Sequence, residues 1–568
     1  MTEGLPKIDK PESRNIRQFA AITAPFLLLT IPSLWLMLSV PPLWRSVDAY
    51  NQTVRPPGIV TILVHAPLYC TLSRIPLWFG YLISGSGPVE SLGHFIKHTQ
   101  LTDAGVYSLL VLQHVALWCG AVYLIYAIAR TLLLRLFLAA LFASQPLFYV
   151  FAHCIGSEAL SVILILLLAA SGVRVMLRYP DIGAREWVIF TLFLAAASLT
   201  RHINCVLAAV LPTAMTLIII ERGSRVLVAD RKAVTAANLC FSKAWKVWFI
   251  SVASGLIGLF FATSVTHLLC WRANTPWRST FGSSFFWRFD FLETMQPPVR
   301  RALLDLVTTK CRLPESHQLL ELLGAWIDRN KRWDPGAFIQ EAHSDFSDSE
   351  MKFHSEKFDR VLNEVALGFL CPPVAPLGSA ALSDFTTATR TTESEIVQFL
   401  FVNTDYFFSR PDKMPQCSRL KTFREPRERL VAARELSFFR WWNLLSFRAW
   451  SILGLIVLLS ALVVDYKRGG ENTPLILLAV SLWIIGVAMV LLNCFFAQLQ
   501  QRYILPIMEL LLLSLIILCG VLFRGFESHN DRFFKNMLHG VNCFFASAVL
   551  RARRRTSRLA FSPCLDAS

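Results

Sequence analysis

The stretch that decides the fold runs from Leu43 to Arg74 and reads LWRSVDAYNQTVRPPGIVTILVHAPLYCTLSR. Its first half is too polar to cross a membrane, while its second half is apolar and aromatic. A single acid, Asp48, stands in the first half among bases and polar residues. We predict that this stretch is a loop on the outer face of a membrane, and that the other helices form a frame around it.

The composition of the whole chain indicates a polytopic membrane protein. Of its 568 residues, 54% are hydrophobic and only 17% are charged, whereas a soluble domain has about 25% charged residues. The formal net charge is +16, but the basic residues flank apolar runs, which is the topology signal of membrane proteins. We expect membrane lipids as partners and no nucleic acid, because no module of basic and aromatic residues is present.

The apolar runs predict an all-α fold with a bundle of roughly ten transmembrane helices. Basic residues before the first run place the N-terminus in the cytoplasm and the loop after Val40 outside. Two short runs, Trp187–Leu199 and Ile203–Ile220, are interpreted as a hairpin, since a charge at mid-membrane costs roughly 2.5–3.5 kcal/mol. The predicted divisions are a cytoplasmic N-terminus 1–18, a transmembrane core 19–270 with the first outer loop 41–104, an extracytoplasmic insert 271–440, C-terminal transmembrane helices 441–523 and a basic cytoplasmic tail 524–568.

Three regions outside the spans carry more specific predictions. Leu63–Leu82 is apolar but broken by prolines and an arginine, so we predict helix at the membrane interface. The tail segment Phe533–Leu550, followed by arginines, predicts a basic interfacial helix. In the insert we predict helices at Pro298–Thr309, Ser316–Asn330 and Glu350–Leu367, a turn-rich interval at Cys371–Ser383, and disulfides as an option for Cys270, Cys311, Cys371 and Cys417.

Asp48 and Glu158 are the candidate acids. Asp48 suits a general base that removes a proton from an acceptor hydroxyl, and equally the N-cap of a short helix that begins near Ala49. Glu158 begins a span, where a carboxylate complements the helix dipole. Its functional interpretation is an acid that orients the substrate or a basic partner. Both alternatives stay open for each residue.

Basic and aromatic residues at the outer ends of the helices are the candidate binding groups. An arginine there either binds a phosphate through its planar guanidinium or anchors to lipid headgroups. Lone histidines at such places are interfacial structural residues or ligands. No spacing of cysteine and histidine predicts a metal site. The candidate substrate-binding residues are His65, Tyr69, Arg74, Glu158, Arg201, His202, Arg502 and Tyr503.

The ordered series of motifs resembles the GT-C superfamily of membrane glycosyltransferases. The closest branch is that of protein O-mannosyltransferases and bacterial lipid A aminoarabinose transferases. The resemblance covers about residues 19–270 and 445–522. After the acid of the first outer loop, the motifs are His65-x-Pro67-Leu68-Tyr69, Ser157-Glu158-Ala159-Leu160, Leu199-Thr200-Arg201 and Arg502-Tyr503-x-Leu505-Pro506.

The resemblance implies an inverting transfer of a sugar from a polyprenyl- or dolichyl-phosphate donor to a glycan, lipid or protein acceptor. The membrane would be the bacterial inner membrane, or the endoplasmic reticulum membrane in a eukaryote, with the active site extracytoplasmic and no metal or other cofactor. Asp48 maps to the catalytic base, and Arg201 and Arg502 map to the donor phosphate. Many members carry Asp-Glu where this chain has Asp48-Ala49. The alternatives are a transporter or lipid flippase, and a non-catalytic GT-C-like scaffold.

Overall fold

The computed structural model describes most of the chain. The described residues are 11–44, 46–85, 87–88, 91–228, 234–342, 355–408, 412, 414–421, 445–497 and 504–529. The predicted tail helix and the candidates Arg502 and Tyr503 lie outside them. Side chains of the first helix are described from residue 23 onward.

The N-terminal half of the described chain is helical, apart from two strands of two residues each. These strands pair in parallel, with Leu43 opposite Cys154 and Trp44 opposite Ile155. The elements are α1 (Pro11–Ser39), β1 (Leu43–Trp44), α2 (Val47–Val54), a π-helix (Val60–Val64), α3 (Pro67–Leu72), α4 (Arg74–Ser84), α5 (Leu92–Lys97), α6 (Asp103–Ile128), α7 (Leu132–Ala143), α8 (Pro146–Ala152), β2 (Cys154–Ile155), α9 (Ser157–Leu177), α10 (Ala184–Thr200), a 3-10 helix (His202–Ala209), α11 (Val210–Val228) and α12 (Val234–Arg272).

The C-terminal half is helical throughout its described part. Its elements are α13 (Phe281–Phe285), a 3-10 helix (Phe286–Leu292), α14 (Pro297–Thr308), α15 (Pro314–Asn330), α16 (Pro335–Ala342), α17 (Glu356–Leu370), α18 (Ala375–Ala388), α19 (Glu393–Phe408), a 3-10 helix (Cys417–Arg419), α20 (Phe447–Tyr466), α21 (Thr473–Phe496) and α22 (Leu505–His529).

Seven helices within the described ranges are long and apolar enough to span a membrane, and they indicate an integral membrane protein. The bent pair α7 and α8 makes an eighth if it forms one span. The predicted count of ten is therefore not confirmed. The part of α1 whose side chains are described, Thr23–Ser39, is apolar, but it does not show the full extent of this helix, and α10 has only 17 residues. At 1.5 Å per residue such a helix is about 25 Å long, below the hydrocarbon thickness of about 30 Å.

The chain reverses direction at Arg201, which confirms the predicted hairpin. Two neighbouring residues of α12, Ser254 and Gly255, contact both arms. Thr191 Oγ1, before the turn, lies 2.5 Å from Ser254 Oγ. A Cβ atom on Gly255 would lie 3.0 Å from the carbonyl oxygen of Ala208, after the turn. Neighbouring residues of α12 thus contact residues on either side of the turn, so the two arms run in opposite directions and both pack against α12.

Basic side chains gather at one end of the bundle, which we call the arginine end. Arginines there lie over tyrosine rings, and the Arg524 guanidinium donates to the Ala127 carbonyl oxygen at 3.2 Å. The stacked pairs are Arg135 over Tyr126 at 4.1 Å, Arg174 over Tyr123 at 4.2 Å and Arg222 over Tyr179 at 4.8 Å. The insert and the first outer loop lie at the opposite end, which we call the insert end.

The first outer loop folds into short helices and contains no span. The stretch Leu63–Leu82 forms the end of the π-helix, α3 and most of α4. The break before α3 falls at Pro67 as predicted, whereas the second break falls at Ser73 and Pro76 lies inside the first turn of α4. On α3 and α4 an apolar stripe stays exposed while the opposite face of α4 is buried. Such an amphipathic surface suits the membrane interface. The stripe consists of Leu72, Ile75, Phe79 and Ile83.

The insert is helical, and its helices α14, α15 and α17 agree with the three predicted helices within a few residues over the described part. The predicted turn-rich interval Cys371–Ser383 is wrong beyond Val374, because α18 begins at Ala375 with a proline in its first turn, where proline fits a helix. The described cysteines of the insert hold free thiols, so the disulfide option is not realised: Cys270, Cys311, Cys371 and Cys417.

The last part of the insert packs on the first outer loop. The Trp44 backbone N–H donates to Thr404 Oγ1 of α19 at 3.0 Å. Gln416 accepts from the Leu101 N–H at 2.9 Å, and its Nε2 donates to the Thr99 carbonyl oxygen at 3.1 Å. The loop therefore lies between the membrane helices and the insert, and both determine its position.

Candidate functional site

The start of α9 is the meeting point of the first outer loop and the membrane helices. Gly156 precedes α9 with φ 155° and ψ 161°, a conformation that is essentially open to glycine alone. Its N–H donates to the Tyr69 hydroxyl of α3 at 2.8 Å, and the Ser157 N–H donates to Gln52 Oε1 of α2 at 3.1 Å. The loop thus satisfies backbone donors that the first turn of a helix leaves unpaired.

Tyr69 is fully enclosed at this junction. Burial raises the pKa of its hydroxyl above the ordinary value, although the Gly156 N–H lowers it in part. The hydroxyl therefore stays neutral and serves as a hydrogen-bond partner. This contact accounts for the tyrosine of the His65-x-Pro67-Leu68-Tyr69 motif as a structural link between α3 and α9.

Asp48 lies in the first turn of α2 and is half-buried. The N-cap of this helix is Ser46, whose Oγ accepts from the Ala49 N–H at 3.4 Å. The N-cap alternative for Asp48 is therefore wrong. Asp48 precedes Gln52 by four residues, so both lie on the same face of α2. Since Gln52 hydrogen-bonds to the start of α9, this face of α2 is turned toward the junction, and Asp48 lies on the same face.

Glu158 and Arg201 form a buried ion pair at the insert end. Arg201 Nη1 lies 3.7 Å from Glu158 Oε1, and the Glu158 side chain has no exposed area. The pair joins the first turn of α9 to the turn of the hairpin. Glu158 thus contacts a basic partner, and its place in the first turn of α9 fits the helix-dipole interpretation as well.

A second acid, Glu509, is influenced by the same arginine. Glu509 lies on α22 and is 1% exposed, and within the described part of the chain neither of its carboxylate oxygens has a hydrogen-bond partner. The charge of Arg201 acts on this carboxyl group, so Arg201 influences acids of two helices. Sequence reasoning missed Glu509, although a single acid in the apolar run 504–522 is an adequate signal, because buried acids in spans are costly and functional by default.

Beside the hairpin turn, a cavity of about 370 Å³ lies between the membrane helices and the insert. It is open to the outside, and its volume falls within the range of small-molecule sites. The described residues that line it include one arginine, one histidine and several hydroxyls, but no carboxylate. They are Leu63, Ala66, Pro67, Ser198, Leu199, His202, Cys205, Leu259, Ala262, Thr263, Thr266, Trp277, Arg278, Ser279, Thr280, Phe281 and Ser284.

The first outer loop forms one wall of this cavity. The Leu63 carbonyl oxygen accepts from His202 Nε2 at 2.7 Å and from Thr280 Oγ1 at 3.3 Å. Ala66 has φ 63°, a strained value for a residue with a side chain. His65, between these two lining residues, is half-buried at the cavity wall. The loop, the hairpin turn and the start of the insert therefore meet at one carbonyl group.

The segment Trp277–Ser284 forms the opposite wall and supplies the basic group. Arg278 is largely buried, and its Nε lies 2.7 Å from Asp359 Oδ2. The Trp277 ring stacks on His267 with 4.4 Å between the ring centroids. Sequence reasoning did not single out Arg278. The run Pro276-Trp277-Arg278 directly after a span was the signal, because basic and aromatic residues mark membrane interfaces.

Arg74 lies apart from both the junction and the cavity. Its buried guanidinium donates to the carbonyl oxygens of Ile96 and Arg55, and burial lowers its pKa. These bonds hold distant parts of the first outer loop together. The structure gives Arg74 no contact with the cavity, so its predicted substrate contact stays a prediction without support.

The described sequence-based candidates thus divide into two groups, and Arg74 belongs to neither. The junction brings together Tyr69, Glu158, Arg201 and helix α2, which carries Asp48. His202 lines the cavity, and His65 lies between two residues that do. No group of His, Cys, Asp and Glu side chains in the described ranges could hold a metal ion.

No protein-family model matches the sequence of this chain, and no curated protein matches it either.

Proposed function

We propose that the protein is a membrane glycosyltransferase that moves a sugar from a polyprenyl- or dolichyl-phosphate donor to an acceptor hydroxyl. The observation that carries the proposal is the cavity at the insert end. It combines an arginine, an indole ring and a row of hydroxyls with apolar residues of α12. An amphiphile with a phosphate and a sugar at one end matches this lining.

The cavity chemistry suits the donor. Arg278 offers a planar guanidinium for the phosphate oxygens, and the hydroxyls of Thr263, Thr266 and Ser284 offer partners for the sugar. The residues on the outward side of α12, such as Phe260 and Phe261, are exposed and would contact lipid tails. The donor would therefore enter from the bilayer with its polar end in the cavity.

The reaction itself needs one base and charge stabilisation. The bond between the anomeric carbon and the phosphate oxygen breaks, and the lipid phosphate leaves with the electron pair. The acceptor oxygen bonds to the same carbon from the opposite face, which inverts it, and its proton passes to a carboxylate. Fixed positive charge near the leaving phosphate stabilises the transition state.

Asp48 is the proposed base. It does not line the cavity, but α2 lies next to α3, whose first residue, Pro67, does. The acceptor would bind between the cavity and α2. In this proposal the arginine end faces the cytoplasm, in line with the positive-inside rule, and the site faces outward.

The test is sugar transfer by purified protein in lipid nanodiscs, supplied with a panel of radiolabelled polyprenyl-phosphate sugars and an outer-membrane lipid or peptide acceptor pool. We expect Asp48→Asn to abolish product formation while donor binding and the thermal midpoint are retained. The matched control is Asp181→Asn, which changes an acid that is 86% exposed near the arginine end.

Two results would count against this proposal. Full transfer by Asp48→Asn would remove Asp48 from the base role. Movement of the labelled lipid across a vesicle membrane, with no glycosylated product from any donor, would favour a flippase instead.

A further inference from the structure

A helix of the insert holds the cavity wall in place. The Gly282 N–H donates to Asn363 Oδ1 of α17 at 2.6 Å. Asn363 Nδ2 in turn donates to the Ser279 carbonyl oxygen at 2.9 Å. The backbones are in such close contact that a Cβ atom on Gly282 would lie 2.3 Å from the Asn363 nitrogen. One asparagine therefore fixes two points of the wall segment Trp277–Ser284.

The same face of α17 also holds the basic group of the cavity. Asp359 lies four residues before Asn363, so the two side chains are neighbours on the helix surface. Its Oδ2 lies 2.7 Å from Arg278 Nε, and its Oδ1 accepts from Ser283 Oγ at 2.6 Å. Both oxygens of a carboxylate that is 1% exposed are thus used to hold the wall.

We propose that Asp359 and Asn363 are positioning residues, through which the insert sets the Arg278 guanidinium for an anionic lipid headgroup bound in the cavity. The identification of that headgroup as a lipid-linked phosphate rests on the proposed function. The evidence for the binding site itself is the cavity, its basic lining and the contacts of α17. In this proposal the role of the insert is to form and orient one wall of the site.

The geometry dictates what each substitution changes. Asp359→Asn keeps an acceptor for Ser283 but removes the charge that orients Arg278. Asn363→Ala removes both wall contacts and leaves no buried charge without a partner. Because each substitution loosens the contacts that orient Arg278 or the wall segment, we expect at least about tenfold weaker binding of the headgroup.

The experiment measures binding of sugar-free polyprenyl phosphate to the full chain in detergent, for Arg278→Gln, Asp359→Asn, the double variant and Asn363→Ala. If Asp359 acts through Arg278, the double variant binds no more weakly than Arg278→Gln alone. Asp359→Glu should restore part of the affinity. Arg301→Gln is the matched control, since it changes an arginine of the insert that is 71% exposed.

The outcomes separate this inference from the proposed function. Additive losses in the double variant, unchanged binding by Asp359→Asn and Asn363→Ala, or no binding by the unmodified chain would each overturn the positioning role. Non-additive losses without any glycosyl transfer would support the lipid-phosphate site while removing the transferase. Thermal midpoints measured in parallel show whether Asp359→Asn unfolds the insert. If it does, the binding measured for Asn363→Ala tests the positioning role.

Discussion

The crossing of α4 and α6 depends on two glycines, and Gly80→Ala is the sharpest test of the fold around the first outer loop. A Cβ atom on Gly80 would lie 2.3 Å from both Cα and N of Gly105. Ordinary van der Waals contact begins at 3.4 Å, so the helices would have to separate by about 1.1 Å. Both atoms belong to the backbone, and no side chain can rotate out of the way.

The expected cost follows from two opposing effects. Forcing a methyl group into a close-packed contact costs about 1–3 kcal/mol. Replacing a helical glycine by alanine returns about 0.8–1 kcal/mol through helix propensity. The difference predicts a net loss of up to about 2 kcal/mol. The neighbours Leu77 and Tyr81 are buried in the same contact region, so the loss should loosen the whole first outer loop.

The assay compares thermal midpoints of purified variants in one detergent. The control is Gly93→Ala in α5, because nothing lies within 4 Å of a Cβ atom at that glycine and the substitution should be neutral or stabilising. Alkylation of the buried Cys70, mapped by mass spectrometry, should become faster in Gly80→Ala alone. Equal midpoints and equal alkylation for the two variants would refute the close approach of α4 and α6.

Two further predictions concern single residues. Burial raises the pKa of Asp290 to about 7, with Arg288 lowering it and Asp384 raising it. Its folded-state pKa therefore exceeds the unfolded value of about 3.9, and its contribution to stability falls as pH rises from about 4 through 7. Asp290→Asn should narrow the difference between thermal midpoints at pH 5 and pH 8, and an unchanged difference would contradict the shift. Gly156→Ala should cost about 1–3 kcal/mol because of its backbone conformation, whereas Gly378→Ala, with open space around its Cβ position, should cost nothing; equal midpoints would argue against that conformation.

The membrane part was largely predictable because hydropathy reports on the local environment of each segment. A span must satisfy its backbone hydrogen bonds internally and bury apolar side chains in lipid. The hairpin at Arg201 and the interfacial helices of Leu63–Leu82 follow from this requirement. The sequence pattern gave a wrong prediction at α18. Its proline and glycine, among alanines and serines, predicted turns, whereas tertiary packing stabilises a helix there.

The candidate site was predictable only in part. Asp48, Glu158 and Arg201 stand out in the sequence because charges near the ends of apolar runs are costly. The base role of Asp48 is a proposal that rests on the order of these residues in the sequence. Arg74 and Tyr69, by contrast, were predicted to bind substrate, but their side chains hydrogen-bond to other parts of the protein. Residue type alone does not distinguish these two roles.

By itself, the sequence determined that this is a helical membrane protein with a polar loop after the first apolar run and a helical insert. Those properties depend on composition and periodicity, which are local. Only the tertiary structure decided that the charge of Arg201 acts on Glu509, that Asp359 pairs with Arg278, and that the insert lines a cavity beside the hairpin turn. The physical reason is that such pairs join residues far apart in the chain, and their distances depend on how whole helices pack.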